Sequence, residues 1–196
     1  MSPPIYALCK YASWAYLRTF RGFRVIGVER IPSTGPLIVA CNHVSYLDPP
    51  ALGAAVPRPV LYMAKVELFR IPVLGPLIRA LGAFPVDRSR GDVAAIKAAV
   101  RVLQDGAVFG IFPEGGRNLE GDKKPQMGVA LLASLSGATV IPAYLAGTSG
   151  AKRFASVTVT FGEPVRFEPG QKARRDDLAK WTDDLMSRIY ALRETL

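Results

Sequence analysis

His43, the single histidine of the chain, directly follows a short apolar run, and an acid, Asp48, lies five residues further on. A neutral imidazole can accept a proton from a hydroxyl near neutral pH. A carboxylate bonded to the other ring nitrogen orients the imidazole and stabilises the imidazolium that forms. Ser45 and Asp48 also match a helix capping box, with Pro49 and Pro50 in the first helical turn. Taken alone, these residues leave catalysis and capping both open.

In a second segment, a short apolar stretch is followed by two residues of opposite charge. Asp87 and Arg88 follow residues 82–86. The guanidinium of Arg88 presents a fixed fork of donors that could bind a phosphate, with Asp87 orienting it through an ion pair. The alternative is a salt bridge at the end of a strand, which is the commoner role for an isolated pair of this kind.

A third segment, residues 111–118, places two glycines between an acid and an arginine. Glu114 could accept a hydrogen bond from a substrate hydroxyl or hold an arginine, and Arg117 adds positive charge. Gly115 and its neighbour allow backbone N–H groups to approach a ligand. The alternative is a glycine-rich turn with solvated charges. A fourth segment, residues 140–144, is an apolar strand that contains a proline and is uninformative by itself.

Apolar runs and helical patterns alternate along the chain, which indicates an α/β fold with a mostly parallel central sheet flanked by helices. Apolar runs predict buried strands at residues 37–41, 60–64, 107–112 and 138–145. Residues 156–161 alternate in polarity, which predicts an edge or half-exposed strand. Helical spacing predicts helices over residues 93–103, 127–136 and 178–192. Sites in parallel sheets form at the carboxyl ends of strands, where the charged segments fall.

The first 24 residues contain cations and aromatics but no acid. These side chains are Tyr6, Lys10, Tyr11, Trp14, Tyr16, Arg18, Phe20, Arg21, Phe23 and Arg24. Apolar rings beside cations suit a helix at a membrane interface, with its charges toward anionic lipid. We therefore divide the chain into an interfacial helical segment, residues 1–24, and a single α/β domain, residues 25–196. The alternative is a helix packed on that domain with its aromatics in the core.

Two further apolar stretches raise the question of whether the chain spans or contacts a membrane. Residues 125–151 carry no charge, but glycines and a proline interrupt them. They predict a helix, a turn and a buried strand, and we expect no transmembrane helix. Residues 65–79 surround three separated cations with apolar side chains. This pattern suits a second interfacial segment and, equally, a core helix whose cations reach solvent.

The composition narrows the functional classes. The 196 residues are 49% hydrophobic and 21% charged, which indicates a packed domain and excludes a disordered or fibrous chain. A net charge of +9 favours anionic lipid, a phosphorylated substrate or nucleic acid as a partner. The arginines are scattered among apolar blocks without a nucleic-acid motif, so we expect no nucleic-acid partner. One histidine and two distant cysteines do not make a zinc site, so we expect no metal.

Together, the four segments resemble the glycerolipid acyltransferases typified by bacterial 1-acyl-sn-glycerol-3-phosphate acyltransferase. That family carries an Asn-His-x4-Asp block, a Gly-x-x-x-Val-Asp-Arg-like block, a Phe-Pro-Glu-Gly-x-Arg block and a Val-Ile-Pro block, and the matching residues here span 42–142. The resemblance implies direct transfer of a fatty acyl group from acyl-CoA or acyl-carrier protein to the free sn-2 hydroxyl of lysophosphatidic acid, giving phosphatidic acid. It implies no cofactor beyond the thioester co-substrate.

The resemblance also implies a role for each matched residue. His43 would be the general base on the acceptor hydroxyl, with Asp48 as its orienting partner. The residues that would bind the glycerol phosphate are Arg88, Glu114, Gly115 and Arg117. Ile141 and Pro142 would help line the acyl site. Such an enzyme would be peripheral or monotopic, on an anionic membrane surface at the cytoplasmic face of the cell membrane.

The chain departs from the family pattern at three positions. Gly116 stands where a hydroxyl residue is usual, Asn118 where serine is common, and Gln126 where a lysine is frequent. Lys123 and Lys124 in the preceding loop could supply the missing charge. An acceptor with a different head group, such as an amino-acid lyso-lipid, therefore stays open. A non-catalytic lipid-binding protein is a further alternative, against which the intact histidine and aspartate of the first block argue.

Overall fold

The computed structural model describes residues 1–87, 93–149, 155–168 and 173–195, in which strands and helices alternate. The strands are β1 (Arg24–Ile26), β2 (Leu37–Cys41), β3 (Val60–Lys65), β4 (Phe84–Val86), β5 (Val108–Ile111), β6 (Thr139–Ala146) and β7 (Thr158–Phe161). The α-helices are α1 (Pro3–Phe20), α2 (Asp48–Ala55), α3 (Leu74–Ala80), α4 (Val93–Gln104), α5 (Gly128–Ser136) and α6 (Arg175–Ala191). Short 3-10 helices cover Val28–Arg30, Val66–Arg70 and Leu192–Thr195.

In the described part of the chain, seven strands form one sheet in the order β1-β7-β6-β2-β5-β3-β4. Neighbouring strands are parallel except for β6 and β7, which are antiparallel. The continuous apolar run of β2 lies at the centre and is buried along its whole length, as expected for a strand covered on both faces. The predicted α/β class with a mostly parallel, helix-flanked sheet is confirmed.

The prediction of an edge or half-exposed strand over residues 156–161 is wrong. β7 lies between β1 and β6, and Val159, Thr160 and Phe161 are buried. The edge position belongs to β1, which pairs in parallel with β7. With only three residues, β1 is too short to show a strand pattern in the sequence, so its cover over β7 could not be foreseen.

Helices cover both faces of the sheet. Leu37 and Ile38 are successive residues of β2, and their side chains therefore point to opposite faces. Leu37 joins a core in which α1 contributes Leu17 and α2 contributes Leu52. Ile38 joins a second core, on the other face, to which α4, α5 and α6 contribute. The site-bearing ends of the central strands are thus held between two packed layers.

Helix α1 packs against the α/β domain along one side. The hydroxyl of Tyr6 is buried and accepts the backbone N–H of Val60 at 2.7 Å. Lys10 Nζ donates to the carbonyls of Val56 at 2.7 Å and Pro57 at 2.9 Å. Partial burial lowers the pKa of Lys10. Within the described ranges, no helix has the length and apolar character needed to cross a membrane.

In residues 65–79 a buried ring and exposed apolar side chains lie close together along the chain, and a second interfacial segment stays a prediction. Phe69 is buried, and the guanidinium of Arg79 lies 5.5 Å from the centroid of its ring. Ile71 and Val73 are exposed at the turn that precedes α3. The segment therefore packs on the domain and also presents apolar side chains to solvent.

Candidate active site

The carboxyl ends of β2 and β5 lie side by side, and each leads into a charged segment. The two strands pair in parallel, with Ala40 opposite Ile111. Residues 42–48 follow β2, and residues 112–118 follow β5. Segments far apart in the sequence therefore meet at one edge of the sheet, where sites in such folds form.

Asn42 fixes the start of the loop that carries His43. Its buried side-chain amide donates from Nδ2 to the carbonyl of Leu145 at 3.0 Å and accepts the Leu145 N–H on Oδ1 at 2.7 Å. This pair of bonds ties the loop to β6. From the opposite side, the backbone N–H of Asn118 donates to the carbonyl of His43 at 2.6 Å. The loop is thus held at Asn42 by β6 and at His43 by the segment that follows β5.

His43 and Asp48 form a hydrogen-bonded pair, with Nδ1 2.8 Å from Oδ2. The Asp48 side chain is fully buried, whereas that of His43 is 15% exposed. A carboxylate only accepts, so Nδ1–H donates to it and Nε2 is the ring nitrogen left to accept a proton. Asp48 Oδ2 also accepts the backbone N–H groups of Val44 and Ser45, each at 2.7 Å. These bonds lock the orientation of the carboxylate.

Asp48 is the first residue of α2, but Ser45 does not form the capping box that the spacing allowed. The N-cap residue is Leu47, and Pro49 and Pro50 lie in the first helical turn as expected. Ser45 Oγ instead accepts the N–H of Leu47 at 3.2 Å. The negative charge of Asp48 is favoured at the positive end of the helix. Asp48 therefore serves both the imidazole and the backbone of the loop.

Phe112, the first residue after β5, sets the plane of the imidazole. Its ring stacks on that of His43 with the centroids 4.3 Å apart and the planes at 25°. The ring of Tyr62 stacks on Phe112 in turn, at 6.1 Å. The Tyr62 hydroxyl donates to the carbonyl of Pro49 at 3.0 Å, and burial raises the pKa of Tyr62 well above its usual value, which preserves that donor.

Glu114 is 4% exposed, and protein donors occupy its carboxylate. Oε2 accepts the backbone N–H of His43 at 2.6 Å. Oε1 accepts Nδ2 of Asn118 at 3.2 Å and the hydroxyl of Tyr190 at 2.6 Å. The geometry favours a role for Glu114 in holding the site together. The direct contact with substrate that the family resemblance implies stays a prediction.

Arg117 lies on the exposed side of the site, against Tyr46. The guanidinium carbon is 3.8 Å from the ring centroid, and Nη2 donates to the Tyr46 hydroxyl at 2.9 Å. A guanidinium whose face is covered by a ring still presents N–H groups in a fork that matches phosphate. Lys123 Nζ donates to the backbone carbonyl of Arg117 at 2.7 Å, so this lysine supports the loop.

Gly115 turns the chain between Glu114 and Arg117. Its φ of +68° lies in the left-handed region, which favours glycine. A Cβ at this position would collide with the side-chain amide of Gln126. The backbone N–H of Gln126 also donates to the carbonyl of Pro113 at 2.7 Å. The glutamine that replaces the family's lysine therefore packs beneath this turn.

Two other predicted residues, Ile141 and Pro142, do not join this cluster. Arg88 lies outside the described residues. Ile141 is fully buried in the core, and Pro142 is buried opposite Ala40 in β2. The expected part of Ile141 and Pro142 in an acyl site stays a prediction, one that their burial does not favour.

Three side chains of the site carried no distinctive signal in the sequence. Tyr46 and Phe112 lie inside the recognised blocks, but their ring contacts with Arg117 and His43 depend on how the two loops meet. Tyr190 lies on α6, 76 residues beyond Glu114, and only the folded chain brings them together.

Residues 22–146 match a protein-family model described as Acyltransferase, and this range covers more than half of the chain. The chain belongs to the acyltransferase family. The four blocks that suggested the resemblance, within residues 42–142, all lie in the matched range, whereas Tyr190 lies outside it. The predicted family and its enzymatic, acyl-transferring character are confirmed.

Individual relatives agree with the family assignment. The chain is 30% identical over 197 residues to a 1-acyl-sn-glycerol-3-phosphate acyltransferase of Bacillus subtilis, and the match covers 98% of each. It is 29% identical over 173 residues to a protein of the same name from Streptococcus pneumoniae, covering 85% of this chain and 64% of the relative. The crystal structure of the 1-acyl-sn-glycerophosphate acyltransferase PlsC from Thermotoga maritima has a TM-score of 0.75 and 27% identity, covering 98% of this chain and 78% of that one.

Proposed function

We propose that this acyltransferase moves a fatty acyl group from a thioester to the sn-2 hydroxyl of 1-acyl-sn-glycerol 3-phosphate, giving phosphatidic acid. The observation that carries the proposal is the 2.8 Å bond between His43 Nδ1 and Asp48 Oδ2, which leaves Nε2 as the proton acceptor at the end of β2. Arg117 supplies a cation for the phosphate on the adjoining loop. The names of the relatives support the same substrate.

The reaction follows as a direct displacement. Nε2 of His43 accepts the proton of the acceptor hydroxyl as its oxygen attacks the thioester carbonyl. Asp48 stabilises the imidazolium through Nδ1–H. The carbon–sulfur bond then breaks, and the departing thiolate takes the proton from the imidazolium. The products are an ester and a free thiol, and the histidine returns to its neutral form.

The surroundings of Cys41 support transfer without an acyl-enzyme. This residue precedes the catalytic block and is fully buried in β2. Burial, followed by the charges of Asp48 and Glu114, raises the pKa of the Cys41 thiol well above its usual value. A thiol that stays protonated and out of reach is a poor nucleophile.

The acceptor has a second candidate. Gly116 and Gln126 replace a hydroxyl residue and a lysine that the family pattern carries, which removes a hydroxyl and a positive charge near the proposed phosphate position. A lyso-lipid with a different head group, for example an amino-acid lipid, fits these departures. The third departure, Asn118, is accounted for by its bond to Glu114.

We also propose that the enzyme works as a peripheral protein on the cytoplasmic face of an anionic membrane. The support is helix α1, on which four aromatic side chains are exposed: Tyr11, Trp14, Tyr16 and Phe20. Exposed aromatic rings on a helix suit the interface of a bilayer. Acyl chains of substrate and product would then remain in the lipid.

The cations of residues 1–24 are less available to anionic lipid than their number suggests. Lys10 donates to backbone carbonyls of the domain. Arg21 is buried and donates to the carbonyls of Ala155 at 3.0 Å and Gly147 at 2.6 Å. Arg18 Nη1 donates to the carbonyl of Phe23, three residues beyond the end of α1, at 3.4 Å. We therefore expect the aromatic rings to supply most of the lipid affinity, and the charges to supply less.

One experiment tests donor and acceptor together. Purified protein is supplied with an isotope-labelled acyl group on CoA or on acyl-carrier protein, together with a panel of phosphorylated and phosphate-free lyso-lipids. The proposal predicts labelled phosphatidic acid as the main product, resolved by mass. Preferential labelling of a phosphate-free acceptor would establish the second candidate instead.

A further inference from the structure

The last turn of α6 reaches the active site from a part of the chain that carries none of the family blocks. Tyr190 lies on this turn, and its hydroxyl donates to Oε1 of Glu114 at 2.6 Å. Its ring meets that of Tyr144 on β6 edge to face, with centroids 6.2 Å apart. Tyr190 is 42% exposed, and the contact of its ring with Tyr144 directs the hydroxyl at the carboxylate.

Glu114 links Tyr190 to the proposed base by hydrogen bonds to both residues. Its second oxygen accepts the backbone N–H of His43 at 2.6 Å, so one carboxylate joins the tyrosine hydroxyl to the histidine main chain. Oxygen acceptors with charged character form short, strong hydrogen bonds of this kind. Losing the tyrosine hydroxyl would leave Oε1 with Asn118 at 3.2 Å as its remaining donor among the described contacts.

The hydroxyl remains a donor over the working range of pH. Burial, followed by its hydrogen bond to Glu114, raises the pKa of Tyr190 above its usual value. Because the hydroxyl keeps its proton, the hydrogen bond from Tyr190 to Glu114 persists at the pH at which the imidazole acts as a base.

We propose that Tyr190 is a positioning residue for acyl transfer: through Glu114 it fixes the backbone of His43 and hence the placement of Nε2. This proposal rests on the proposed role of His43 as the general base. It gives α6 a function beyond packing on the sheet, because the helix supplies one end of a three-residue chain of hydrogen bonds that ends at the base.

The main test compares Tyr190→Phe with the wild type in steady-state acyl transfer. The substitution keeps the ring and its packing on Tyr144 and removes only the hydroxyl. We expect kcat to fall about 5- to 20-fold, with KM for both substrates changed by less than about twofold. The loss is smaller than the roughly 10- to 150-fold for a direct bond from a charged group to substrate, because the hydroxyl acts through Glu114. Ser187→Ala is the matched control, since it removes an exposed hydroxyl from the same helix that bonds only within it, to the carbonyl of Asp183. Its kcat should equal that of the wild type.

A double-mutant cycle separates positioning through Glu114 from a general effect on stability. In the Glu114→Gln background the chain of bonds is already cut, so Tyr190→Phe should cost less than about twofold in kcat. Should Glu114→Gln not fold, Asn118→Ala replaces it, and the combined loss should then exceed the product of the single losses. Independent, multiplicative effects in either cycle would overturn the proposal.

The same assay distinguishes failure of this proposal from failure of the mechanism. An inactive His43→Ala with a fully active Tyr190→Phe would overturn the role of Tyr190 and leave the base in place. A fully active His43→Ala would overturn the base and, with it, the positioning role. A Tyr190→Phe variant that melts at a lower temperature but keeps the wild-type kcat would show a structural role only, and would also overturn the proposal.

Discussion

The guanidinium of Arg117 lies 3.8 Å over the ring of Tyr46 and donates to its hydroxyl at 2.9 Å. Tyr46 belongs to the loop between His43 and Asp48, and Arg117 belongs to the loop that follows β5. The contact therefore joins the two loops of the candidate site at their exposed side, with Tyr46 72% exposed. It places the proposed phosphate-binding cation at a fixed position relative to the proposed base.

Replacing Tyr46 should weaken acceptor binding more than it slows chemistry. Tyr46→Leu removes the ring beneath Arg117, and we expect KM for lysophosphatidic acid to rise about 2- to 5-fold, the range for an exposed cation–π contact. Tyr46→Phe keeps the ring and removes the hydroxyl, so it should have a smaller effect. Steady-state kinetics of both variants provide the measurement. An unchanged KM in Tyr46→Leu would show that the ring does not position Arg117.

Replacing Arg117 should separate recognition of the acceptor from catalysis. A hydrogen bond from a charged group contributes about 1.5–3 kcal/mol. Arg117→Ala should therefore lower kcat/KM for a phosphorylated lyso-lipid by about 10- to 150-fold, mainly through KM. A phosphate-free acceptor should be much less affected because it never makes the contact. Equal losses for the two acceptors would assign Arg117 a structural role or a role toward the thioester.

The exposed rings of α1 should control attachment to lipid. Replacing Tyr11 and Trp14 together by serine should weaken binding to anionic vesicles by about 10- to 30-fold, because two apolar bodies no longer leave water. Leu135→Ser on α5 is the matched control, since this residue is exposed on the helical layer of the opposite face. Co-sedimentation at low and high salt provides the measurement.

The salt dependence discriminates between the rings and the cations. Three of the four cations in residues 1–24 donate to backbone carbonyls, so the binding should fall only modestly between low and physiological salt. Unchanged binding of the double serine variant would instead place the lipid contact elsewhere, with Ile71 and Val73 before α3 as the next apolar candidates.

Much of the fold and the centre of the site could be predicted from local sequence. The continuous apolar runs that form β2 and β5 reveal strands covered on both faces. The rule that parallel strands gather their carboxyl ends then brings His43 and Glu114 to one edge. His43 and Asp48 pair across a short loop that precedes a helix, and their spacing of five residues is enough to predict this pairing.

Contacts between distant segments could not be predicted in the same way. β1 contains three residues, too few to show a strand pattern in the sequence. The sequence therefore does not predict that β7 lies inside the sheet, between β1 and β6. The cations near the N-terminus suggest lipid contact by their composition, whereas Lys10 and Arg21 meet carbonyls that only the fold brings near. Tyr190 and Glu114 are 76 residues apart in the sequence, and no local pattern near either residue predicts their hydrogen bond.

Tyr190 should also leave a signature in the alkaline stability of the protein. In the unfolded chain a tyrosine ionises near pH ~10, whereas burial and the bond to Glu114 raise the pKa of Tyr190 in the folded chain. Above about pH 10 the unfolded state therefore releases a proton that the folded state retains, and stability is lost as the pH rises. The contribution is fully present below that pH. Urea unfolding of the wild type should show a steeper alkaline loss than that of Tyr190→Phe.

The comparison with Tyr190→Phe isolates this group from other tyrosines. Burial also raises the pKa of Tyr6 and Tyr62, and both variants share that background. Identical slopes of unfolding free energy against pH in the wild type and the variant would show that the Tyr190 proton is not held by the fold.

The acyl-transfer rate of His43→Ala tests the central claim most directly. The imidazole is the single one in the chain, and its bond to Asp48 at 2.8 Å leaves Nε2 to accept the hydroxyl proton. With the fold verified by circular dichroism, kcat for transfer from the thioester to lysophosphatidic acid should fall by about 10²–10⁴-fold or more. A folded His43→Ala protein that transfers the acyl group at close to the wild-type rate would contradict general-base catalysis by His43.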